Sequence, residues 1–442
     1  MLSLAHLEHC LSTEHAILLA YSGGLDSTVL LHQLVLLRQE WPQLQLRALH
    51  VHHGLSPLAD NWVAHCRRQC VEWQVPLEVV NVTVDAREGG IEASARNARY
   101  QALRQHLRSE ETLLTAQHCD DQSETLLLAL KRGSGPAGLA AMPQMHVLGK
   151  NRHLRPLLAV SRQQLEGWAE HYHLRWIEDE SNQDPRYDRN FLRLKVLSLL
   201  NERWPHFSAS VARSAALCGE QEQLLDELLA ESLDALITEE GSLHFTPLLT
   251  MSSVRRAALL RRWIARQNGT MPSREGLERI WQEVACSRED ADPCLRLGRA
   301  EVRRYREHLW WWIPGEAVSD CQLSWSAPWR PLTLPGQLGQ LVMDDEGILL
   351  RQPLATETVN VRFQARGTFH IIGRAGSRPL KKLWQEAGIP PWLRERIPLI
   401  FYGEQLIAAL GVFVTHEGAA SAGNSWGIRW AQGTQSVSSP EE

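Results

Sequence analysis

No Cys-x-x-Cys pair occurs in the 442 residues. The eight cysteines are scattered, and the nearest two, Cys66 and Cys70, stand four apart in a helical stretch. Neither has the further ligands that a zinc or iron–sulfur site needs. They read as free thiols, suited to a reducing cytoplasm, where the protein is expected to reside. No apolar run approaches the roughly 18 residues of a membrane-spanning helix, so no membrane association is expected. The start, Met1 to Cys10, carries His6, Glu8 and His9 but no basic stretch ahead of an apolar one, which predicts no signal peptide. Excess positive charge is missing too: the formal net charge is −5. Any nucleic-acid partner must therefore be met by locally basic surfaces. No internal repeat is present. What remains is ordinary for a folded soluble protein, with 44% hydrophobic and 22% charged residues. The length suggests about three domains.

Through residue 207 the hydrophobic pattern alternates between two periods. Short apolar runs at Ala16–Tyr21, Leu46–His53, Leu77–Val82 and Thr112–Gln117 read as strands. Helical spacing occupies Thr28–Glu40, Ala59–Trp73, Ile91–Leu107 and Asp121–Lys131. That alternation predicts an α/β domain over 1–207, with a mostly parallel sheet and right-handed crossovers. Ser161–His173 reads as a further helix, with Ser161 and Gln164 forming a capping box. Beyond it, 208–315 reads as a mainly helical domain with strands at Cys294–Ile313. Residues 316–357, rich in Pro, Gly and Trp, read as a linker region. Residues 358–432 read as a small α+β domain, and 433–442 as a disordered tail.

The sharpest local signal is Ser22-Gly23-Gly24-Leu25-Asp26-Ser27, which follows the first strand and opens a helix. Adjacent glycines let the backbone turn tightly and approach a ligand. Successive amides there form an anion nest, and the helix adds its positive end. Ser22 and Ser27 offer hydroxyl donors. Asp26 is the odd member, because a carboxylate beside phosphates is repelled unless a cation intervenes; it points to Mg²⁺. The loop lacks the lysine of a Walker A motif.

A second constellation, His118-Cys119-Asp120-Asp121-Gln122-Ser123-Glu124-Thr125, begins at the end of a strand and enters a helix. This is the carboxyl edge of the sheet, where open α/β sheets bind ligands. Asp120 and Asp121 lie four and three residues before Glu124, so either pair shares a helix face. Such a cluster suits a cationic substrate, binds Mg²⁺, or removes a proton. An acidic first turn that merely favours the helix dipole is the bland alternative.

The first hexapeptide resembles the PP-loop of the N-type ATP pyrophosphatases. The resemblance implies a Rossmann-like N-terminal domain and cleavage of ATP between its α- and β-phosphates. The His-x-x-Asp-Asp-x-x-Glu-Thr pattern is narrower, and is similar to the lysidine synthetase and tRNA thiolase branch. His50-Val51-His52-His53-Gly54-Leu55 resembles the family's strand end near the nucleotide. Glu92, Ala95, Arg96, Arg99 and Tyr100 resemble its Glu-x-x-Ala-Arg…Arg-Tyr helix, and Arg132-Gly133-Ser134-Gly135 its following glycine segment. Arg155-Pro156-Leu157-Leu158 and Asp179 to Arg193 continue the match. A thiolating relative would need a sulfur path, usually paired cysteines, and a glutamine-dependent one a nucleophilic cysteine domain. Neither pattern is present, which leaves the lysidine synthetases. Another PP-loop base-modifying enzyme and a non-catalytic tRNA-binding protein are the rival readings.

Downstream, Arg255, Arg262 and Arg266 fall within about 40° of one another at helical spacing. A stripe of that kind tracks phosphates. From Val359 to Gln432 nine arginines and lysines face four glutamates, a formal +5. Arg378-Pro379-Leu380-Lys381-Lys382-Leu383-Trp384 and Ile389 to Arg394 resemble the C-terminal domain of the longer lysidine synthetases.

The resemblance implies that lysine is joined to C2 of the wobble cytidine, position 34, of tRNA(Ile) with anticodon CAU, through an adenylated cytidine. Its implied partners are that tRNA, L-lysine and ATP with Mg²⁺, with a homodimer as one form the enzyme can take. It assigns ATP to Ser22, Gly23, Gly24, Leu25, Asp26, Ser27 and His52. Lysine goes to Asp121 and Glu124, which with Asp26 are the expected catalytic residues. Mg²⁺ goes to Asp26, with Asp120 as a second ligand or a capping group. Phosphate or tRNA contacts are expected from Arg96, Arg132, Arg189, Arg193, Arg255, Arg262, Lys381, Lys382 and Arg394.

Overall fold

A computed structural model describes residues 3–54, 56–84, 91–288, 291–421 and 424–431. The expected tail, 433–442, lies outside the described residues, as does Leu55. The chain divides into two compact units, Met1–Leu228 and Leu229–Glu442.

The first unit is built on six strands: β1 (Ala16–Ala20), β2 (Gln45–His52), β3 (Leu77–Asn81), β4 (Thr112–Leu114), β5 (Met145–Leu148) and β6 (Asn151–Leu154). Their order is β3-β2-β1-β4-β6-β5. All neighbours are parallel except the β5–β6 hairpin. Its helices are α1 (Ala5–Leu11), α2 (Leu25–Glu40), α3 (Ala59–Glu72), α4 (Ile91–His106), α5 (Cys119–Lys131), α6 (Pro136–Leu139), α7 (Arg162–His171), α8 (Asp188–Phe191), α9 (Ser198–Arg203) and α10 (Phe207–Asp234), which runs on into the second unit. A six-residue π-helical turn, Leu192–Leu197, joins α8 to α9. The predicted parallel α/β core is present, and its four strands and helices fall where the periodicity put them. The β5–β6 hairpin was not foreseen. Met145 and Val147 are exposed on its outer strand, so no buried apolar run marks it; its one local signal is Gly149, at φ +66°, in the two-residue turn.

The chain steps outward from β1 to β2 and β3, then returns to place β4 on the other side of β1. The order reverses between β1 and β4, and ligands of open α/β sheets bind at the carboxyl edge of such a switch point. Both sequence motifs emerge there, one after β1 and one after β4.

Packing beneath the site is apolar. Ile17, Leu19, Leu30, Leu34, Leu114, Leu157 and Leu165 share one buried cluster. One charged network is buried on the face of β2 opposite Leu46 and Ala48 of that cluster. Arg47 Nε and Nη2 donate to Glu111 at 2.5 and 2.6 Å, and Nη1 donates to Glu78 at 3.0 Å. Removing one member of a buried pair leaves the other charge stranded, at a cost of about 3–5 kcal/mol. Arg47→Met is therefore expected to lower the urea stability of the first unit by about that amount. A midpoint unchanged from wild type would show the network to be dispensable.

His153 of β6 is 1% exposed, with Nε2 2.7 Å from Thr115 Oγ1. Burial, helped by Arg155, drives its pKa down to about 3. Unfolded, the same imidazole takes a proton near pH 6.5. Below that pH the unfolded chain binds the extra proton, so stability is expected to fall from pH 6.5 toward 3. Thermal melts of His153→Asn should show a flatter acid limb than wild type.

The second unit begins in mixed structure. α11 (Ser253–Arg266) and α12 (Arg274–Arg279) stand beside a four-stranded antiparallel sheet of β7 (Leu243–His244), β8 (Cys294–Leu297), β9 (Ala300–Tyr305) and β10 (His308–Trp312). Ser252 caps α11 by accepting from the Arg255 amide. The remainder is mostly strand: β11 (Gln322–Trp325), β12 (Leu332–Thr333), β13 (Gln340–Arg351), β14 (Val359–Arg362), β15 (Thr368–Phe369) and β16 (Arg378–Pro379) come first. Two short helices, α13 (Leu380–Glu386) and α14 (Pro391–Arg394), separate these from β17 (Leu399–Tyr402), β18 (Gln405–Ala409), β19 (Phe413–Val414) and β20 (Ser425–Ala431). The segment 316–357 is thus no linker: β11 pairs with β14, and β13 pairs with β20. Trp325, Leu341 and Leu350 from it are buried with Val361, Ile400 and Trp426. Turn residues outweighed the strand signal in the sequence, because β13 shows no clean alternation of burial and shifts register between Met343 and Ile348.

Candidate active site

The loop after β1 is locked by its own hydroxyls. Ser22 Oγ and Ser27 Oγ are 3.0 Å apart, the Gly24 amide donates to Ser22 Oγ, and Thr28 Oγ1 donates to the Gly23 carbonyl. Gly23 has φ +84°, and a Cβ there would lie 2.7 Å from Ile177 Cδ1 and 2.8 Å from Cys66 Sγ. Both the conformation and the close packing exclude a side chain. Gly24 is the extended N-cap of α2, and buried Leu25 anchors the first turn. The amides of that turn therefore open toward the switch point, as an anion site requires.

α5 begins across the edge. His118 caps it by accepting from the Asp120 amide, while Asp121 reaches back to the His118 amide at 3.0 Å. This reciprocal box fixes the histidine at the centre of three carboxylates. His118 Nε2 lies 3.7 Å from Asp26 Oδ2 and 3.5 Å from Asp121 Oδ2, and Nδ1 lies 3.5 Å from Asp120 Oδ2. Burial opposes a charge on this ring, but Asp121, Asp120 and Asp26 outweigh it and push its pKa up to about 9. His118 thus stands between the two motifs, within 3.7 Å of Asp26 and 3.5 Å of Asp121.

The carboxylates differ in use. Asp120 accepts from the Arg162 amide at 2.9 Å, at the start of α7. Burial works against its charge, yet His118 and that amide hold it down to about 2. Asp26 is raised above its ordinary value, first by burial and against the pull of His118. Its Oδ1 is buried without a hydrogen-bond partner. Glu124 is fully buried, and burial lifts it while Arg193 pulls it back.

Arg193, expected among the phosphate contacts, is bonded to the acidic pair instead. It donates from Nε to Glu124 Oε1 at 2.6 Å, and from Nη2 to Asp121 Oδ1 at 3.0 Å and Glu124 Oε2 at 3.2 Å. Arg189, one turn earlier, acts electrostatically on Glu124. Each half of this arrangement is visible in the sequence but their union is not, since Arg193 and Asp121 are 72 residues apart.

A chain 60% identical over 427 residues, covering 96% of this chain and 98% of its own length, is the tRNA(Ile)-lysidine synthase of Serratia proteamaculans (strain 568). This chain belongs to the tRNA(Ile)-lysidine synthase family. The lysidine synthase of Pectobacterium atrosepticum is 58% identical, covering 94% of each chain. Residues 3–200 match the PP-loop domain, residues 243–310 the TilS substrate binding domain and residues 359–430 the TilS substrate C-terminal domain. Among solved structures, the U34-tRNA thiolase NcsA of Methanococcus maripaludis is 15% identical, with a TM-score of 0.41 over 48% of this chain and 76% of that one.

The remaining expected residues of this lysidine synthase family member are dispersed. His52 Nε2 lies 3.3 Å from Asp60, Arg96 stacks over Tyr100 at 5.2 Å, and Arg132 is exposed past the end of α5. The arginines of α11 are largely turned onto protein. Arg255 donates to Ser232 at 3.1 Å, Arg262 to its own helix at Ala258, and Arg266 pairs with Asp234 at 2.5 Å. The last turns of α10 lie within their reach, so two of them bond the helices together. Lys381 and Lys382 are exposed, while Arg394 donates to the Ile389 carbonyl at 3.0 Å.

Proposed function

We propose that this chain joins the ε-amine of L-lysine to C2 of cytidine 34 in tRNA(Ile) with anticodon CAU, consuming ATP and releasing AMP and pyrophosphate. The observation that carries the reading is the contact between its two motifs: the phosphate loop and a buried carboxylate cluster meet at one switch point through His118, in a chain with near-full-length similarity to curated lysidine synthases. The C2 carbonyl oxygen of the cytidine attacks the α-phosphorus of ATP, and pyrophosphate leaves from the amides of Ser22–Ser27. The lysine amine then attacks C2, and the oxygen departs with AMP. The product pairs with A rather than G, which changes decoding from AUG to AUA and charging from methionine to isoleucine.

Asp121 and Glu124 receive the lysine cation. Arg193 occupies that pair in the free enzyme and keeps the two carboxylates from repelling each other. An ε-ammonium has a reference pKa near 10.4 and must lose a proton before attack. Glu124 is its acceptor, since burial makes its carboxylate the stronger base. Asp26 suits Mg²⁺: one oxygen is buried and unpartnered, and magnesium bound to a nucleotide uses one or two carboxylates beside phosphate oxygens. Bound there, it would neutralise charge on the departing pyrophosphate. Asp120 serves as the cap that ties α5 to α7. Arg189, Arg132, Arg96, Lys381 and Lys382 contact phosphates of the tRNA.

The test is incubation with lysine, ATP and a tRNA(Ile) transcript, followed by mass analysis of the anticodon nucleosides. Cytidine 34 should gain lysine less water. An unchanged mass with ATP, lysine and folded enzyme present would refute the assignment.

A further inference from the structure

A groove of about 580 Å³ lies along the first unit, floored by Val63, Ala64 and Val79 and rimmed by Arg67, Arg68 and Asn81. His52, expected at the nucleotide, and the exposed Asp60 beside it also line the groove. It is distinct from the phosphate loop. A Cβ on Gly23 would meet α3 at Cys66 and His65, whereas Ala64 and Arg67 lie roughly 100–160° around the helix from Cys66. α3 therefore stands between the two.

Two guanidiniums outnumber its one carboxylate, Asp60, which lies against His52. Arg67 and Arg68 are exposed neighbours on one helix, and neither guanidinium is hydrogen-bonded or ion-paired within the described residues. Two adjacent free guanidiniums above an apolar floor, with an amide at the rim, match a phosphate and a flat ring rather than a second cation site. The volume falls within the range of nucleotide-sized sites.

We propose that this groove seats a phosphodiester of the substrate tRNA together with the adjoining base. The guanidiniums hold the phosphate, and the Val63–Val79 floor lies under the base. The inference rests on the tRNA-ligase reading and extends its RNA contacts past the loop to the β3 edge of the sheet.

The double variant Arg67→Gln/Arg68→Gln is expected to raise KM for tRNA tenfold or more, by roughly one charge-assisted hydrogen bond. It should leave KM for ATP and for lysine unchanged. The salt dependence of tRNA binding should flatten by about one unit of slope for each phosphate no longer neutralised. Arg67→Lys/Arg68→Lys should keep most of that slope. Ala64→Phe, at an exposed position, should weaken tRNA binding with the slope intact by filling the base seat. Wild-type tRNA KM and slope in the glutamine variant would overturn the proposal. A rise in ATP KM would overturn it too, assigning the groove to the nucleotide, and full affinity in Ala64→Phe would remove the base. The wild-type mass assay separates this from the ligase reading: no lysidine there sinks that reading, while filter binding of tRNA still decides the groove.

Discussion

Asp26→Asn is expected to lower kcat about a thousandfold or more while leaving the melting temperature nearly unchanged. The substitution keeps the shape of the side chain and removes its charge. Oδ1 is already buried without a partner, so no intramolecular hydrogen bond is lost at that atom. What disappears is the anion that would hold Mg²⁺ against the phosphates. Charge stabilisation in a water-poor site is usually the largest single contribution to such reactions, and one donor or ligand accounts for about 3–4 kcal/mol. Release of labelled pyrophosphate, measured with saturating tRNA and lysine, checks this. Turnover within tenfold of wild type would mean that the loop binds nucleotide without an Asp26-held cation.

Glu124→Gln should act on a different substrate. Its KM for lysine is expected to rise about 10- to 100-fold, the worth of a charge-assisted hydrogen bond of roughly 1.5–3 kcal/mol, with kcat falling as the proton acceptor is removed. KM for ATP should stay near wild type, because Glu124 faces Arg193 and Asp121 rather than the loop. Neutralising a fully buried partner also leaves Arg193 undercompensated, so some loss of stability accompanies the change. Glu124→Asp, which restores the charge, should recover part of the lysine affinity. Equal effects on lysine and ATP would instead make Glu124 a support for the whole edge.

The placement of both residues was legible in the sequence, for a common reason. Asp26 sits in the first turn and Glu124 in the second turn of a helix after a buried strand, where spacing alone fixes which side chains share a face. The parallel core and the capping box at Ser161 were legible on the same grounds; Ser161 indeed accepts from the Gln164 amide. Contacts across long separations were not. Nothing local to Asp120 shows that it caps a helix 42 residues away, and nothing in the 189–193 stretch shows that Arg193 turns inward onto two acids. The arginines of α11 show the same limit. Helical spacing correctly put Arg255, Arg262 and Arg266 on one face, but could not show that the end of α10 lies against it. Strands with mixed burial, such as β5 and β13, leave no period to read.

The pairing of β13 with β20 bears on how this protein can be taken apart. Gly347 and Gly427 let these strands pass at backbone distance: a Cβ on Gly427 would lie 2.0 Å from the Asp344 carbonyl oxygen. A fragment starting at Val359, the tempting place to cut, would strip β14 of β11 and β20 of β13, its only partner in the sheet among the described residues, and leave bare strand edges prone to self-association. The smallest piece that closes its own sheets starts before Gln322. Dissection of RNA recognition in this family member should therefore cut on the far side of Val318, which is buried in the same core.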